Sequence, residues 1–379
     1  MRKKSRAWGS PSRYIQGAGE IQRLPEHTAK YGDRVGAVID IFFFDPYTEM
    51  LKRKYEEKEK AFLSVKYEEE ITIEYVEFVV ETMKKFSPDV IVGIGGGKSI
   101  DSAKSVAAKM NLPLVVVPTS ASTDAPTSAM AIYYNDKHEH VGFEYFLKNP
   151  DLVLVDSEII AEAPERFLVS GMGDALATYF EAQTSILADS DNYICTESGC
   201  YRYTDTAFTI AKACCDTILK YGRLAKKANE IGVVNEALER VIEANTLMSG
   251  IGFENVGCAA AHCICNGLTN ADNGTKALHG EKVAFGVLCQ LIAENADPAL
   301  LKELYEFYYD VGLPITLEDM KIEKTESNYQ LIAGNPQQTE WIKEKVSITP
   351  DSIIGYVKMA NAIGEDYKRQ NEAAYFNNK

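Results

Sequence analysis

The chain has 379 residues, of which 46% are hydrophobic and 25% are charged, a composition typical of a globular protein with two domains. Its formal net charge of -15 argues against a surface rich in Lys and Arg, so we expect no binding to nucleic acid or to anionic membranes. No segment approaches the roughly 18 apolar residues of a membrane span.

The first 160 residues alternate short runs of β-branched residues with amphipathic helical segments. This alternation predicts a Rossmann-like α/β domain, in which crossover helices cover a parallel sheet. The predicted strands are 35–44, 61–65, 90–93, 114–117 and 152–155, and two of the intervening helices are 72–85 and 99–110. From residue 161 to 379 the apolar residues recur at helical spacing, which predicts a second, all-helical domain. Within it, we expect residues 321–348 to be a polar insertion.

A glycine loop joins the strand at 90–93 to the helix that follows it. Gly95, Gly96 and Gly97 let backbone N–H groups approach phosphate oxygens, and the helix N-terminus favours an anion, so the loop predicts a pyrophosphate site. A tight turn that binds nothing is the alternative. A Walker A loop needs glycine where this chain has Val92, and the G-x-G-x-x-G fingerprint needs glycine in place of Lys98, so neither standard motif is present.

Two further segments follow predicted strands. Residues 118–130, PTSASTDAPTSAM, come after the strand at 114–117 and lie at the carboxyl edge of the sheet, where open α/β sheets bind ligands. A solvated turn is the other interpretation. Asp40 ends the first strand, where a carboxylate binds ribose hydroxyls and repels a 2′-phosphate, which favours NAD over NADP. A simple surface carboxylate is the alternative for Asp40.

The second half contains three candidate metal ligands. The motif GMGDALATYFEA predicts Asp174 at the start of a helix, His262 falls on another helix, and His279 opens HGEKVAFG. Each residue alone has an ordinary explanation, as a helix cap or a packed histidine. Together they form a three-ligand set that leaves a fourth position open for a substrate oxygen, and both Zn²⁺ and Fe²⁺ accept such ligands.

Cysteine usage is sparse. Eight cysteines are too few for a disulfide scaffold in a chain of this length, so we expect reduced thiols and a cytoplasmic protein. Cys258, Cys263 and Cys265 surround His262, either as thiols or as neighbours of a metal.

Six separated motifs between about residues 10 and 320 are similar in order and wording to those of the iron-containing alcohol dehydrogenase superfamily, and within it to glycerol dehydrogenases. They read VGIGGGKSIDSAK, PTSASTDAPTSA, NPDLVLVDS, GMGDALATYFEA, GFENVGCAAAHCICNGLT and HGEKVAFG. The resemblance implies a dehydroquinate synthase-like architecture, with NAD bound by the N-terminal α/β domain and a metal held by the helical domain. It also implies a homo-oligomer that oxidises a small polyol, with glycerol to dihydroxyacetone as the leading reaction and 1,2-propanediol as another candidate substrate.

The resemblance assigns roles to individual residues. The metal ligands fall on Asp174, His262 and His279, and Asp124 matches the substrate-contacting aspartate. The cofactor contacts fall on Asp40, Gly96, Gly97, Lys98, Ser99, Ile100, Asp101, Thr119, Ser120, Ala121, Ser122, Ser128, Met130 and Tyr134. The iron-dependent branch has a further histidine where this chain has Thr178, so zinc is favoured over iron.

The chain also departs from the family pattern. Cys265 stands where these dehydrogenases have a second histidine, and we expect it to line the pocket wall without coordinating the metal. Two other functions compete with a dehydrogenase. A dehydroquinate synthase-type enzyme needs a cationic phosphate pocket, and no Lys/Arg cluster accompanies the metal motifs. A non-catalytic NAD- or metal-binding regulator is disfavoured by the presence of Asp124 and all three predicted ligands.

Overall fold

The computed structural model describes residues 5–68, 70–135, 140–196, 199–334, 341–344, 346 and 348–377. The strands are β1 Tyr14–Gly17, β2 Arg34–Asp40, β3 Ala61–Tyr67, β4 Val90–Gly95, β5 Leu114–Pro118, β6 Met130–Tyr134, β7 His140–Tyr145, β8 Leu152–Asp156, β9 Cys195–Thr196 and β10 Gly199–Cys200. The first helices are α1 Leu24–Thr28, α2 Ile41–Glu56, α3 Ile73–Phe86, α4 Gly97–Met110 and α5 Ser157–Glu162. They are followed by α6 Glu165–Leu187, α7 Asp205–Glu230, α8 Glu236–Glu243, α9 Ser249–Val256, α10 Ala260–Asn270, α11 His279–Ala293, α12 Pro298–Val311, α13 Glu326–Ala333 and α14 Pro350–Asn377.

Six of these strands form one parallel sheet in the order β1-β8-β5-β4-β2-β3. The central strands β4, β5 and β8 are buried along their whole length, as expected for β-branched runs that are covered by helices on both faces. No strand of this sheet follows β8, and the rest of the described chain is mainly helical. The predicted fold class, an α/β half followed by a helical half, is therefore confirmed.

One predicted strand was too long. β2 ends at Asp40, and the residues from Ile41 onward, predicted as strand, begin α2. The Asp40 carboxylate accepts a hydrogen bond of 3.1 Å from the Phe42 backbone N–H, which caps the helix N-terminus. This cap overrides the β propensity of the aromatic run.

Two elements of the first half were not predicted from the sequence. The short strand β1 adds an edge to the sheet by pairing with β8, and β6 and β7 form a separate antiparallel hairpin. β1 contacts the helical half, whereas the hairpin packs mainly within the first half. Tyr14 in β1 bonds with Thr246 through their hydroxyl groups at 2.9 Å, and the hairpin packs against α4.

The hydrophobic core crosses the predicted domain boundary. One face of the sheet, with α1 and α2, forms a core of its own, whereas the other face shares a continuous core with the helices of the second half. The division into domains at residues 1–160 and 161–379 remains a prediction. The expectation of a polar insertion at 321–348 is wrong for the described residues, because Tyr329, Ile332 and Trp341 are buried in the shared core.

A disulfide joins Cys195 to Cys200 across the two-residue strands β9 and β10. The expectation of reduced thiols is therefore wrong for this pair, while the other six cysteines are buried thiols. Among the described residues, no helix is long and apolar enough to cross a membrane.

Candidate active site

The carboxyl ends of β2, β4 and β5 are neighbours in the sheet, and we call this region, with residues 40, 95–98 and 119–122, the cofactor edge. Gly95 has a φ of +150°, and a Cβ there would lie 2.1 Å from Ser99 Oγ and 2.7 Å from Asp40 Cβ, so the turn requires glycine. Gly96 then caps α4 without a side chain, and a Cβ at Gly96 would meet nothing within 4 Å. The backbone of this turn is therefore open to a ligand.

Several predicted cofactor contacts lie beside this turn. The Thr119 backbone N–H donates to Gly95 O at 3.0 Å, and the Ser120 and Ser122 hydroxyls bond with each other at 3.1 Å. Lys98 forms an ion pair with Glu70, and its ammonium lies 4.8 Å from the centre of the Tyr134 ring. The structure thus brings the predicted residues of the glycine loop and the serine-rich segment together.

Other predicted contacts have their polar atoms bound within the protein. The ammonium of Lys104 is buried and donates to Asp101 Oδ1, Ser128 Oγ and Met130 O at 3.0, 3.1 and 2.8 Å. Ile100 and Ala121 are buried, and Ala121 O accepts a bond from Asn245 at 2.8 Å. These groups fasten α4 and the serine-rich segment to the rest of the fold, and their direct contact with a cofactor remains a prediction.

The three predicted metal ligands converge on one point, which we call the metal centre. His279 Nε2 lies 3.3 Å from Asp174 Oδ1, and His262 Nε2 lies 3.8 Å from the same oxygen. One ligand atom from each residue falls within 4.8 Å of the others. His262 lies in the first turn of α10, on a helix as predicted, and His279, which opens the motif HGEKVAFG, is the first residue of α11.

Asp174 was predicted to begin a helix, but it lies in the middle of α6, which starts at Glu165. The glycines around it do not end the helix. They let α11 approach, because a Cβ on Gly173 would lie 2.4 Å from Gly280 O, and one on Gly280 would lie 1.8 Å from Ser170 O. This close packing of α6 against α11 brings the Asp174 carboxylate to His279.

The Asp174 carboxylate is an unsatisfied acceptor. Its side chain is 2% exposed, yet neither oxygen has a hydrogen-bond partner among the described residues. Burial raises the pKa of Asp174, but the neighbouring His279 and His262 outweigh burial and hold the pKa below its ordinary value. A buried, ionised carboxylate beside two imidazoles is a donor set that a divalent cation satisfies.

Asp124 lies between the metal centre and the cofactor edge. Its Oδ2 accepts a bond of 2.8 Å from Ser249 Oγ, and Ser249 in turn bonds with the Thr178 hydroxyl at 2.9 Å. Burial and the negative charge of Asp174 raise the pKa of Asp124 to about 7. On the other side, a Cβ at Gly97 would lie 3.4 Å from Thr123 Oγ1, so the glycine loop adjoins the segment that carries Asp124.

Sequence reasoning missed residues that surround the metal centre. Ser249 orients Asp124, and Glu181 contacts the His262 ring through a 2.6 Å distance between its Oε2 and Nδ1. Glu181 lies seven residues after Asp174, two helical turns along the same face, and this spacing was the available signal. Glu181, Cys258 and His262 also form a second group whose ligand atoms lie within 4.8 Å of one another.

The cysteines near His262 occupy different positions. Cys258 precedes α10, so the helix does not extend back to it. Cys265 is buried, with its Sγ 3.6 Å from His279 Nδ1, on the opposite side of the ring from the Nε2 that faces Asp174. This position is compatible with a thiol that contacts the ligand histidine without joining the metal ligands, which remains a prediction.

Comparisons with known proteins agree with this geometry. The sequence profile of the iron-containing alcohol dehydrogenase family matches residues 11–157. The chain is 45% identical to the glycerol dehydrogenase of Thermotoga maritima over 322 residues, which cover 83% of this chain and 84% of that protein. It is 36% identical to the glycerol dehydrogenase of Citrobacter freundii over 362 residues, covering 94% of this chain and 98% of the relative. The crystal structure of a probable glycerol dehydrogenase from Sinorhizobium meliloti 1021 superposes with a TM-score of 0.88 at 37% identity, covering 96% and 99% of the two chains.

Proposed function

Because the chain belongs to the iron-containing alcohol dehydrogenase family, we propose that it catalyses the NAD⁺-dependent oxidation of glycerol to dihydroxyacetone. The observation that carries this proposal is the metal centre itself, where a buried Asp174 carboxylate without a hydrogen-bond partner faces the Nε2 atoms of His262 and His279. Asp124 lies beside this centre, on the side of the glycine loop. Family membership also confirms the resemblance carried by the six motifs.

Asp174, His262 and His279 would hold one divalent metal. Their oxygen and nitrogen donors fit Zn²⁺ and Fe²⁺ alike, and a metal with an open position acts as a Lewis acid that lowers the pKa of an alcohol. We propose zinc, because Thr178 stands where the iron-dependent branch has a fourth ligand and its hydroxyl is bonded to Ser249. Zinc keeps an open coordination position with three protein ligands.

Asp124 would bind the substrate beside the metal centre. Ser249 fixes one carboxylate oxygen of Asp124 by donating to Oδ2, which leaves Oδ1 to accept a hydrogen bond from the neighbouring hydroxyl of a vicinal diol. This interaction would orient the carbinol carbon of glycerol for hydride loss and would disfavour simple alcohols that lack a second hydroxyl.

The cofactor edge would bind NAD⁺, which supplies the hydride acceptor. Gly96 and Gly97 present backbone N–H groups at the N-terminus of α4, where the helix dipole favours the pyrophosphate. Asp40 would accept hydrogen bonds from the adenosine ribose and repel a 2′-phosphate, so we propose NAD rather than NADP. The other predicted cofactor residues would contact NAD⁺ or hold α4 and the serine-rich segment in position.

We further propose a homo-oligomer in the cytoplasm. Exposed apolar side chains on the β6–β7 hairpin and just after it, Val141, Phe143, Tyr145 and Leu147, support an interface between subunits. Six of the eight cysteines are buried thiols, which support a reducing compartment, and the Cys195–Cys200 disulfide is the exception. The division into a cofactor domain of residues 1–160 and a metal domain of residues 161–379 is also part of this proposal.

The test measures NADH formation, by its absorbance, with each of a panel of small polyols as substrate. We expect activity with glycerol, weaker activity with a mono-alcohol of the same length, loss of activity after chelation, and recovery when Zn²⁺ is added back. Activity that persists in the metal-free protein would contradict the proposed chemistry. Activity confined to 1,2-propanediol would correct the substrate and leave the reaction class intact.

A further inference from the structure

Glu181 is a buried carboxylate that contacts both the backbone and the ring of His262. Its side chain is 1% exposed. Glu181 Oε1 accepts hydrogen bonds from the backbone N–H groups of Ala259 and His262, at 2.8 and 2.9 Å. Its other oxygen, Oε2, lies 2.6 Å from His262 Nδ1. One side chain of α6 therefore caps the start of α10 and contacts the imidazole that α10 carries.

The contact with Nδ1 determines which ring nitrogen faces the metal centre. Glu181 Oε2 is placed to accept a hydrogen bond, and the matching donor is a proton on Nδ1. In the neutral imidazole, which is the form that binds a metal, Nε2 then has a free lone pair, and this is the nitrogen that points toward Asp174. Outer carboxylates of this kind fix the tautomer and the orientation of a ligand histidine.

We propose that Glu181 is a positioning residue, which holds His262 in the Nδ1-protonated tautomer and orients its Nε2 toward the metal. This inference rests on the proposed function, because it assumes that Asp174, His262 and His279 bind a metal. It adds a residue that touches neither substrate nor cofactor and that acts through His262.

A second metal bound by Glu181, Cys258 and His262 Nδ1 is the competing explanation of the same cluster. Two observations favour the hydrogen bond. The distance of 2.6 Å from Oε2 to Nδ1 is that of a charge-assisted hydrogen bond. In addition, Oε1 already accepts two backbone bonds, which hold the carboxylate toward α10.

The decisive variant is Glu181→Gln, which preserves the size of the side chain. If the Gln carbonyl oxygen keeps the two backbone bonds, its NH₂ group faces Nδ1 and donates to it. The imidazole proton must then move to Nε2, which can no longer bind a metal. We expect the metal-free variant to unfold at the wild-type temperature while its Zn²⁺ affinity falls by roughly 10- to 100-fold.

Affinity is measured by competition between metal-free protein and a chromophoric zinc chelator, and the absorption spectrum of the Co²⁺-loaded protein reports the ligand field independently. Glu344→Gln is the matched control. Glu344 caps the same helix by accepting from the Ala260 N–H at 3.2 Å, and its charged neighbours are Glu294 and Glu181. Its replacement should leave Zn²⁺ affinity unchanged. Asp174→Ala, which lacks a proposed ligand, sets the baseline of lost binding.

Three outcomes would overturn the inference. Wild-type affinity in Glu181→Gln would show that the ring contact does not matter. Equal losses in Glu181→Gln and Glu344→Gln would assign the effect to helix capping alone. Two Zn²⁺ per wild-type chain, with one lost in Cys258→Ala, would favour the second metal site. A wild-type protein that binds no Zn²⁺ or Co²⁺ would instead refute the proposed function together with this inference.

Discussion

The cofactor edge and the metal centre are built in different ways, although they adjoin each other. At the cofactor edge, the groups offered to a ligand are mainly backbone N–H groups around Gly96, and the neighbouring side chains of Asp101 and Ser128 are bound to Lys104. At the metal centre, the groups offered are three side chains, and Asp174 has no other hydrogen-bond partner among the described residues. One site depends on the path of the chain, and the other depends on the identity of a few residues.

This difference has a consequence for mutations. A backbone site tolerates changes of side chain as long as the turn keeps its shape and its open space. A side-chain site fails when one donor is removed, because a metal with two protein ligands loses both affinity and geometry. Substitutions in the two regions should therefore differ in effect, and the largest loss is expected when a metal ligand is removed.

Replacing a metal ligand should abolish turnover while leaving cofactor binding intact. We expect His262→Ala or His279→Ala to lower turnover by at least about a thousandfold, because Lewis-acid stabilisation supplies several kcal/mol. NAD⁺ affinity should stay within about twofold of wild type, since neither histidine contacts the cofactor edge. Zinc analysis gives the metal content of each variant, NADH absorbance gives its turnover, and calorimetric titration gives its NAD⁺ affinity. His27→Ala, which removes a histidine of α1 that is bonded to Glu20, is the control. Full turnover without either ligand would remove the metal hypothesis.

Filling the open space at the glycine turn should instead weaken cofactor binding. A Cβ on Gly96 meets nothing within 4 Å, so Gly96→Ala should leave the unfolding temperature unchanged. If a pyrophosphate occupies this space, the methyl group should weaken NAD⁺ binding by roughly 10- to 100-fold, or about 1.4 to 2.7 kcal/mol. Gly355→Ala, in α14, also adds a Cβ in open space and serves as the control. Unchanged calorimetric affinity in Gly96→Ala would place the phosphates elsewhere.

The polar groups behind the metal centre should make stability depend on pH. Burial and the neighbouring Glu294 raise the pKa of Glu344 to about 8, from an ordinary value near 4.5. Between these two pH values the unfolded chain ionises Glu344 before the folded chain does, so wild-type stability falls as pH rises. Glu344→Gln cannot ionise and keeps an acceptor for the Ala260 N–H. Its advantage in urea unfolding of metal-free protein should grow from near zero at pH 4.5 to about 1–2 kcal/mol above pH 8. An advantage that does not change with pH would contradict this account.

The smallest effect is expected from a side chain at the cofactor edge. Asp40 caps α2 through the Phe42 N–H, and Asn caps a helix equally well, so Asp40→Asn should keep the fold. The loss of negative charge should narrow the preference for NAD over NADP by about tenfold or less, as measured by the ratio of kcat/KM values. The reaction with NAD should change little. A wild-type enzyme that already uses both cofactors equally would show that Asp40 does not contact the ribose.

The sequence predicted the central sheet well because its strands are buried runs of β-branched residues, such as 90–93 and 114–117. The edge strand β1 was missed because its four residues, YIQG, carry no such pattern and pair only with a distant strand. The aromatic residues after Asp40 were assigned to β2 because they have high β propensity, which the cap at the start of α2 overrides.

At the site, the sequence identified the three ligand candidates but not their supports. Asp174 was placed at a helix start but lies in the middle of α6, where Gly173 and Gly280 allow α6 and α11 to touch. Glu181 was missed because its role depends on α6 and α10 lying side by side, which no single segment encodes. The Cys195–Cys200 disulfide follows from a local hairpin that was not predicted.

The pairing of β1 with β8 also affects how the protein is made. β1 is synthesised before any other strand, but its neighbour in the sheet is β8, so the backbone of Gly19, just after β1, bonds to a carboxylate 137 residues later, that of Asp156. The preceding Gly9 exchanges hydrogen bonds with Asn255, 246 residues further along the chain. The ribosome therefore releases the N-terminal segment long before its partners exist. β1 cannot pair until β8, which ends at Asp156, has been synthesised, so it stays accessible to chaperones while about the first two-fifths of the 379 residues are translated.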